Sequence, residues 1–298
     1  MKKYTMNDYV KTRRQKNMEK TSRFKAIGFG VLILVLFLLV QFIAGVIGTI
    51  AWIAVSAVIS GGHFVYEDVI KQATPVLLCA SEVLCIIIFG IWYYFGYIKK
   101  DKANGTYISG IHKIASPRTL GFIVSATVAM FFLALLMSHL MSSLWPESRK
   151  IFDSIMNTAL DTDSLYGMLT LMVLAPLAEE IAFRGLILRY SRNAFGITGC
   201  IILNVIMFAV MHLNPLQSLY VLPIGAMLTY LALKYDSVIP SMLAHILNNS
   251  ISVLLPMILN RDLKNTETLI GIIVFGVLAI VLSDIGIVSG RKTAVYNA

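Results

Sequence analysis

Glu179 and Glu180 are adjacent, and Arg184 follows four residues later, in the stretch LAEEIAFRG that comes directly after the apolar run YGMLTLMVLAP. On a helix, residues four apart share a face, so Glu180 and Arg184 can neutralise each other as an ion pair. Neighbouring residues point about 100° apart, so Glu179 faces another direction, away from that cation. A carboxylate placed in this way can act as a general base or acid. The same residues could equally form a buried ion cluster that joins helices. Two later motifs repeat the four-residue spacing. Phe208 and His212 stand in FAVMH, and His245 and Asn249 stand in HILNN. A histidine inside a membrane helix can serve as an interhelical hydrogen-bond donor. Together, His and Asn can donate to a developing oxyanion without adding negative charge. Asn248 points about 100° away from Asn249.

The elements that carry these residues are apolar. Of the 298 residues, 57% are hydrophobic and 14% charged, and the mean hydropathy is +0.77. Runs of 18 or more apolar residues read as transmembrane helices. Eight spans are expected, at 26–55, 74–97, 119–140, 164–190, 197–213, 216–235, 238–256 and 268–288, giving an all-α polytopic bundle. The first apolar run, to about Ile59, reads as a retained signal anchor, tilted or extending beyond the bilayer. NPL and DSV are short connections that predict tight hairpins among spans five to seven. Cys79, Cys85 and Cys200 lie in or beside apolar runs with no CxxC, which argues against a disulfide framework or a cysteine zinc site.

Of the 25 Lys and Arg residues, 20 fall on one side of this arrangement. The positive-inside rule then puts both termini in the cytoplasm. The net charge of +9 is accounted for by topology signals and anionic headgroups; with no basic soluble domain present, nucleic acid is not an expected partner. Ionisable groups within spans are functional candidates by default, because a charge at the bilayer centre costs about 2.5–3.5 kcal/mol on insertion scales. They are Glu82, His139, Glu179, Glu180, Arg184, His212 and His245, joined by the uncharged Asn204, Asn248 and Asn249. Glu179, His245 and Asn249 are expected about 10–17 Å from the cytoplasmic helix ends, at a rise of ~1.5 Å per residue. His212 is expected deeper.

EExxxR, FxxxH and HxxxN on successive apolar helices resemble the CPBP (Abi) family of intramembrane proteases, which includes CAAX prenyl-protein endopeptidases and bacteriocin-processing or self-immunity proteins. The matching residues are Glu179, Glu180, Arg184, Phe208, His212, His245 and Asn249, and the resemblance covers about 160–256. It implies a helical bundle with its active site inside the bilayer. Glu179 would activate a water held by His212, and His245 and Asn249 would stabilise the oxyanion. Glu180, Arg184 and Phe208 would be supporting residues. The family has also been described as metalloproteases. Glu179, His212 and His245 could supply a carboxylate and two imidazoles to zinc. The metal-free reading is preferred, since HExxH is absent and a metal would need no extra amide.

The expected organisation is a basic cytoplasmic segment at 1–25, N-terminal membrane helices at 26–150, a protease core at 160–256 and a last span with a tail at 257–298. Peptides or membrane proteins are the expected substrates, and the cell membrane the expected location. A rhomboid-type serine and an aspartyl-protease pair both lack their required context. Two non-enzyme readings remain. One is a non-catalytic membrane partner, conferring bacteriocin immunity or modulating a sensor kinase. The other is a proton-coupled transporter using Glu82 and Glu179, against which stands the absence of paired halves.

Overall fold

The computed structural model describes residues 21–107, 109–159 and 164–259. The basic segment before residue 21 and the span expected at 268–288 lie outside the described residues, as do the positions 160–163. Every regular element among the described residues is helical. Helix α1 is Arg23–Ile59, started by Ser22, whose Oγ accepts from the Lys25 N–H at 3.2 Å. It ends where Gly61 and Gly62 take positive φ values of 60° and 87°. Helix α2 begins at Tyr66–Tyr93 and continues through the π-turn Tyr94–Ile98 into Lys99–Ala103. Glu67 and Asp68 occupy its first turn and lysines its last, which suits the helix dipole. A short helix α3, Gly110–Ile114, leads to α4, Pro117–Leu144.

Next comes α5, Pro146–Ala159, in a stretch expected to be a connection. Its sequence, PESRKIFDSIMNTA, alternates charged and apolar residues at helical spacing, which makes it amphipathic and unlike the spans. Helix α6 is one rod of five successive pieces: Leu165–Leu169, the π-segment Thr170–Leu174, Ala175–Glu180, the π-segment Ile181–Ile187, and Leu188–Ser191. Helices α7 (Ile197–Met211), α8 (Pro215–Tyr235) and α9 (Ile239–Leu259) follow. The α8–α9 connection is Asp236 to Val238, the tight DSV turn that was expected.

Among the described residues, four helices are long and apolar enough to cross a membrane: Arg23–Ile59, Tyr66–Ala103, Pro117–Leu144 and Pro215–Tyr235. Two shorter apolar helices, Ile197–Met211 and Ile239–Leu255, accompany them. The rod carrying Glu179, Glu180 and Arg184 is not among the four, so the expected eight spans are not all matched by helices of spanning length and hydropathy. The outer surfaces are nonetheless lipid-like. On α1, Ile43, Ile47 and Ile50 are exposed, whereas Ala26, Gly30, Ile33, Leu34 and Phe37 form a buried stripe at helical spacing.

Helix α6 sits at the centre, with Ala182 to Leu188 all buried. Phe37 of α1, Phe89 of α2, Phe183 of α6 and Phe208 of α7 meet in one core. A second core joins Ile123 of α4 to Leu228 and Leu231 of α8 and Ala244 of α9. Helices α2 and α6 run side by side in the same direction. Asp101 meets Arg189, and Tyr93 lies against Gly185, where an added Cβ would come within 3.2 Å of its ring.

Candidate active site

Glu180 is fully buried, and its Oε1 carries two contacts. Arg184 Nη1 donates to it at 2.8 Å, which is the expected i,i+4 pair, and His245 Nδ1 lies 2.9 Å away. Arg184 Nη2 also donates to the Gly225 carbonyl at 3.2 Å, and its guanidinium stands 4.5 Å from the centre of the Phe208 ring. This carboxylate therefore ties α6 to α9 directly and, through Arg184, to α8. Such a pair has to be well satisfied, since desolvating two charges offsets most of their attraction.

Glu179 is turned away from this pair. Its side chain is 14% exposed, and its Oε2 is 3.7 Å from His245 Nε2, just beyond hydrogen-bond distance. His245 thus stands between the two carboxylates, one at each ring nitrogen. Because the Glu180 carboxylate accepts, Nδ1 carries a proton, and Nε2 is the atom turned toward Glu179.

His212 departs from its expected position inside a span. Helix α7 stops at Met211, and His212 is its C-cap residue. Leu213 then takes a left-handed φ of 52°, and Asn214 caps α8 by accepting from the Gln217 N–H at 3.0 Å. Pro215 begins the next helix and has no N–H to give, so the turn closes one residue earlier than NPL suggests. The His212 Nδ1 lies 2.8 Å from the Phe208 carbonyl. A carbonyl can only accept, so Nδ1 bears the hydrogen and the neutral ring keeps its lone pair on Nε2. The Phe208 ring meets both imidazoles edge-on, with centroids 5.0 Å from His212 and 5.8 Å from His245.

Asn249 donates from Nδ2 to the Leu171 carbonyl at 3.0 Å, inside the first π-segment of α6. Its Oδ1 accepts from Asn248 Nδ2 at 3.3 Å. The second π-segment has a similar prop. Asn204 of α7 donates to the Phe183 carbonyl at 2.7 Å. Thr229 of α8 offers its single hydroxyl proton to two acceptors, Asn204 Oδ1 at 3.1 Å and Gly225 O at 2.7 Å. Wide π-turns release carbonyls from the regular ladder, and amides from facing helices take them up. Gly225 lets α8 come close, because an added Cβ would lie 3.1 Å from Phe208 Cδ1. No motif marked Gly225 or Thr229. A glycine beside apolar residues in a span was the only signal.

Glu82 of α2 accepts from Gln41 Nε2 of α1 at 2.6 Å. His139 stands apart from the motif residues. It lines a separate cleft with Ser138, Ser142, Arg149 and Asp153, between α4 and α5. Among the described residues, no group of three or more His, Cys, Asp or Glu side chains is gathered so as to hold a metal ion, and Glu179, His212 and His245 are not drawn together as one.

Residues 161–251 match the family model described as Rce1-like: Type II CAAX prenyl endopeptidase Rce1-like. No curated protein and no solved structure matches the chain. The matched segment runs from the start of α6 into α9 and contains every residue of the three motifs. With its apolar helices, the chain is an integral membrane protein, and its 161–251 segment is similar to the Rce1-like endopeptidase family, consistent with the CPBP resemblance of EExxxR, FxxxH and HxxxN.

Proposed function

We propose that the protein is a glutamate-dependent intramembrane endopeptidase that hydrolyses peptide bonds of membrane-associated peptides or proteins. The observation that carries this reading is the division between two adjacent carboxylates. Glu180 is committed to Arg184 and His245, whereas Glu179 stays partly exposed, 3.7 Å from His245 Nε2. Glu179 takes a proton from a water as that water attacks the scissile carbonyl carbon. His212 holds the same water through the Nε2 lone pair that its Phe208 hydrogen bond leaves open. The oxyanion receives hydrogen bonds from Asn249, through the amide hydrogen not given to Leu171, and from His245 Nε2 when that atom carries a proton. Glu180 at Nδ1 then supplies the counter-charge. The proton taken by Glu179 passes to the leaving amine nitrogen, which completes hydrolysis.

In this reading zinc is not required, and the protein lies in the cell membrane with both termini in the cytoplasm. Support for the topology comes from the charge distribution, and for the metal-free route from the absence of HExxH. The test uses purified protein reconstituted with a peptide library and membrane peptidomes of cells. Glu179→Gln and His212→Ala should each abolish cleavage while leaving the protein inserted and folded. Full proteolysis by Glu179→Gln would overturn the mechanism. Stoichiometric zinc that is lost together with activity would overturn the metal-free route.

A further inference from the structure

Helix α4 ends in polar residues that belong to none of the three motifs. Its 28 residues span about 42 Å at ~1.5 Å per residue, more than the hydrocarbon core of about 30 Å, so its ends reach the headgroup layers. Phe152 of α5 packs edge-on against Tyr220 near the start of α8, with ring centroids 6.2 Å apart. The far end of α8 is tied to Arg192 at the basic level, so α5 lies at the opposite face of the molecule. There α4 and α5 enclose a cleft of ≈ 220 Å³. Ser138, His139 and Ser142 line it from α4, and Arg149 and Asp153 from α5. Beside it Leu144, Trp145 and Ile151 are exposed. A tryptophan and an amphipathic helix in this position are both marks of the membrane–water boundary.

The cleft has few donors to spare. Ser142 Oγ gives its hydrogen to the Ser138 carbonyl at 2.6 Å, and Ser143 Oγ gives its own to the His139 carbonyl at 3.1 Å. Arg149 Nε donates to Asp153 Oδ2 at 2.8 Å, and Nη1 reaches Ser142 Oγ at 3.5 Å. Among the described residues, neither Arg149 Nη2 nor the His139 ring makes a hydrogen bond. A guanidinium edge and an imidazole N–H suit a phosphate. An ionised carboxylate has about four lone-pair sites, so Asp153 can accept from an ammonium while it holds Arg149. We propose that this cleft binds a phospholipid headgroup carrying a phosphate and a primary ammonium, of the phosphoethanolamine type, in the leaflet away from the basic helix ends. The phosphate accepts from Arg149 Nη2 and His139, and the ammonium donates to Asp153. Because Arg149 and Asp153 cancel in charge, a zwitterion enters without leaving a net charge at the boundary. Exposed Leu140 and Leu144 give its acyl chains an apolar wall.

The test is native mass spectrometry of the full chain released from detergent micelles, with phosphatidylethanolamine, phosphatidylcholine or free O-phosphoethanolamine added. Wild type should retain phosphatidylethanolamine in preference to the other two. Arg149→Gln and His139→Leu should each weaken that retention about tenfold, the loss of one contact to a charged group. Lys150→Gln, on the same helix but exposed and outside the cleft, should retain the lipid as wild type does. His139→Leu leaves the Arg149–Asp153 pair in place, so it reads the site even where Arg149→Gln folds poorly. Unchanged retention by His139→Leu and Arg149→Gln would overturn the proposal. Equal retention of phosphatidylcholine would also overturn it, because a quaternary ammonium has no hydrogen to give Asp153. Displacement of the lipid by an equal concentration of O-phosphoethanolamine would assign the cleft to a soluble phosphate compound instead, and the lipid site would fall.

Discussion

Two adjacent glutamates meet different surroundings because a helix turns about 100° between them. Glu180 points into a closed polar cluster, and every change to it reaches Arg184 and His245. Glu180→Ala leaves the Arg184 guanidinium buried without its counter-charge, and breaking a buried pair on one side costs about 3–5 kcal/mol. That variant should therefore melt well below wild type in detergent. The double replacement Glu180→Met with Arg184→Met should recover most of the loss, since it removes both charges. Glu179→Gln should leave the melting temperature near wild type while abolishing hydrolysis. Equal destabilisation of the two single variants would mean that Glu179 is part of the structural cluster. The split between the carboxylates was legible in the sequence, because i,i+4 spacing pairs only Glu180 with Arg184. Which carboxylate would bind His245 was not legible, because it depends on the rotation of α9 against α6, to which sequence spacing within one helix is blind.

At the level of elements, the site depends on the two π-segments of α6 and on the amides that face them. Periodicity in the sequence predicts a helix across this region but is silent on a wider turn, since one extra residue per turn leaves an apolar run apolar. For the same reason Asn204 reads only as a polar group within a span. Its partner, the Phe183 carbonyl, is available because the chain widens over Ile181–Ile187. The end of α7 at Met211 was likewise hidden, because FAVMHL stays apolar through the turn and the left-handed Leu213 carries no glycine signal. Asn204→Leu leaves the Phe183 carbonyl without its buried partner, at a cost of about 1–3 kcal/mol, while the Thr229 hydroxyl keeps its bond to Gly225 O. Thermal unfolding should fall accordingly, and hydrolysis should fall with it, since Phe183 and Arg184 share the segment that holds Phe208. Unchanged stability would show that the amide prop is dispensable. Gly225→Val should act from the other side, pushing Phe208 away from Arg184 and both imidazoles. It should lower kcat while leaving the Glu180–Arg184 pair formed.

For the whole molecule, the asymmetry of charge becomes a prediction about sidedness. Lys99, Lys100 and Lys102 close α2, and next to them Asp101 pairs with Arg189. Arg192 pairs with Asp236 at the α8–α9 turn, so the basic ends of α2, α6 and α8 are tied at one level. A narrow cleft opens among these ends and reaches Arg184, with Tyr93, Arg189, Arg192 and Asp236 on its walls. The Arg184 side of the polar cluster therefore lies toward the basic end, the end that the positive-inside rule assigns to the cytoplasm. His63, in the turn between α1 and α2, and Asn104, after the last turn of α2, are both exposed and lie at opposite ends of α2. Cys85 and Cys200 are buried and Cys79 is half-buried, so native thiols give little background. In intact cells, a membrane-impermeant maleimide should label His63→Cys and spare Asn104→Cys, which should react only after the membrane is opened. The reverse pattern would turn the molecule over and place the cleft that leads to Arg184 outside the cell. The membrane-associated substrates would then be sought among peptides on the outer face of the membrane.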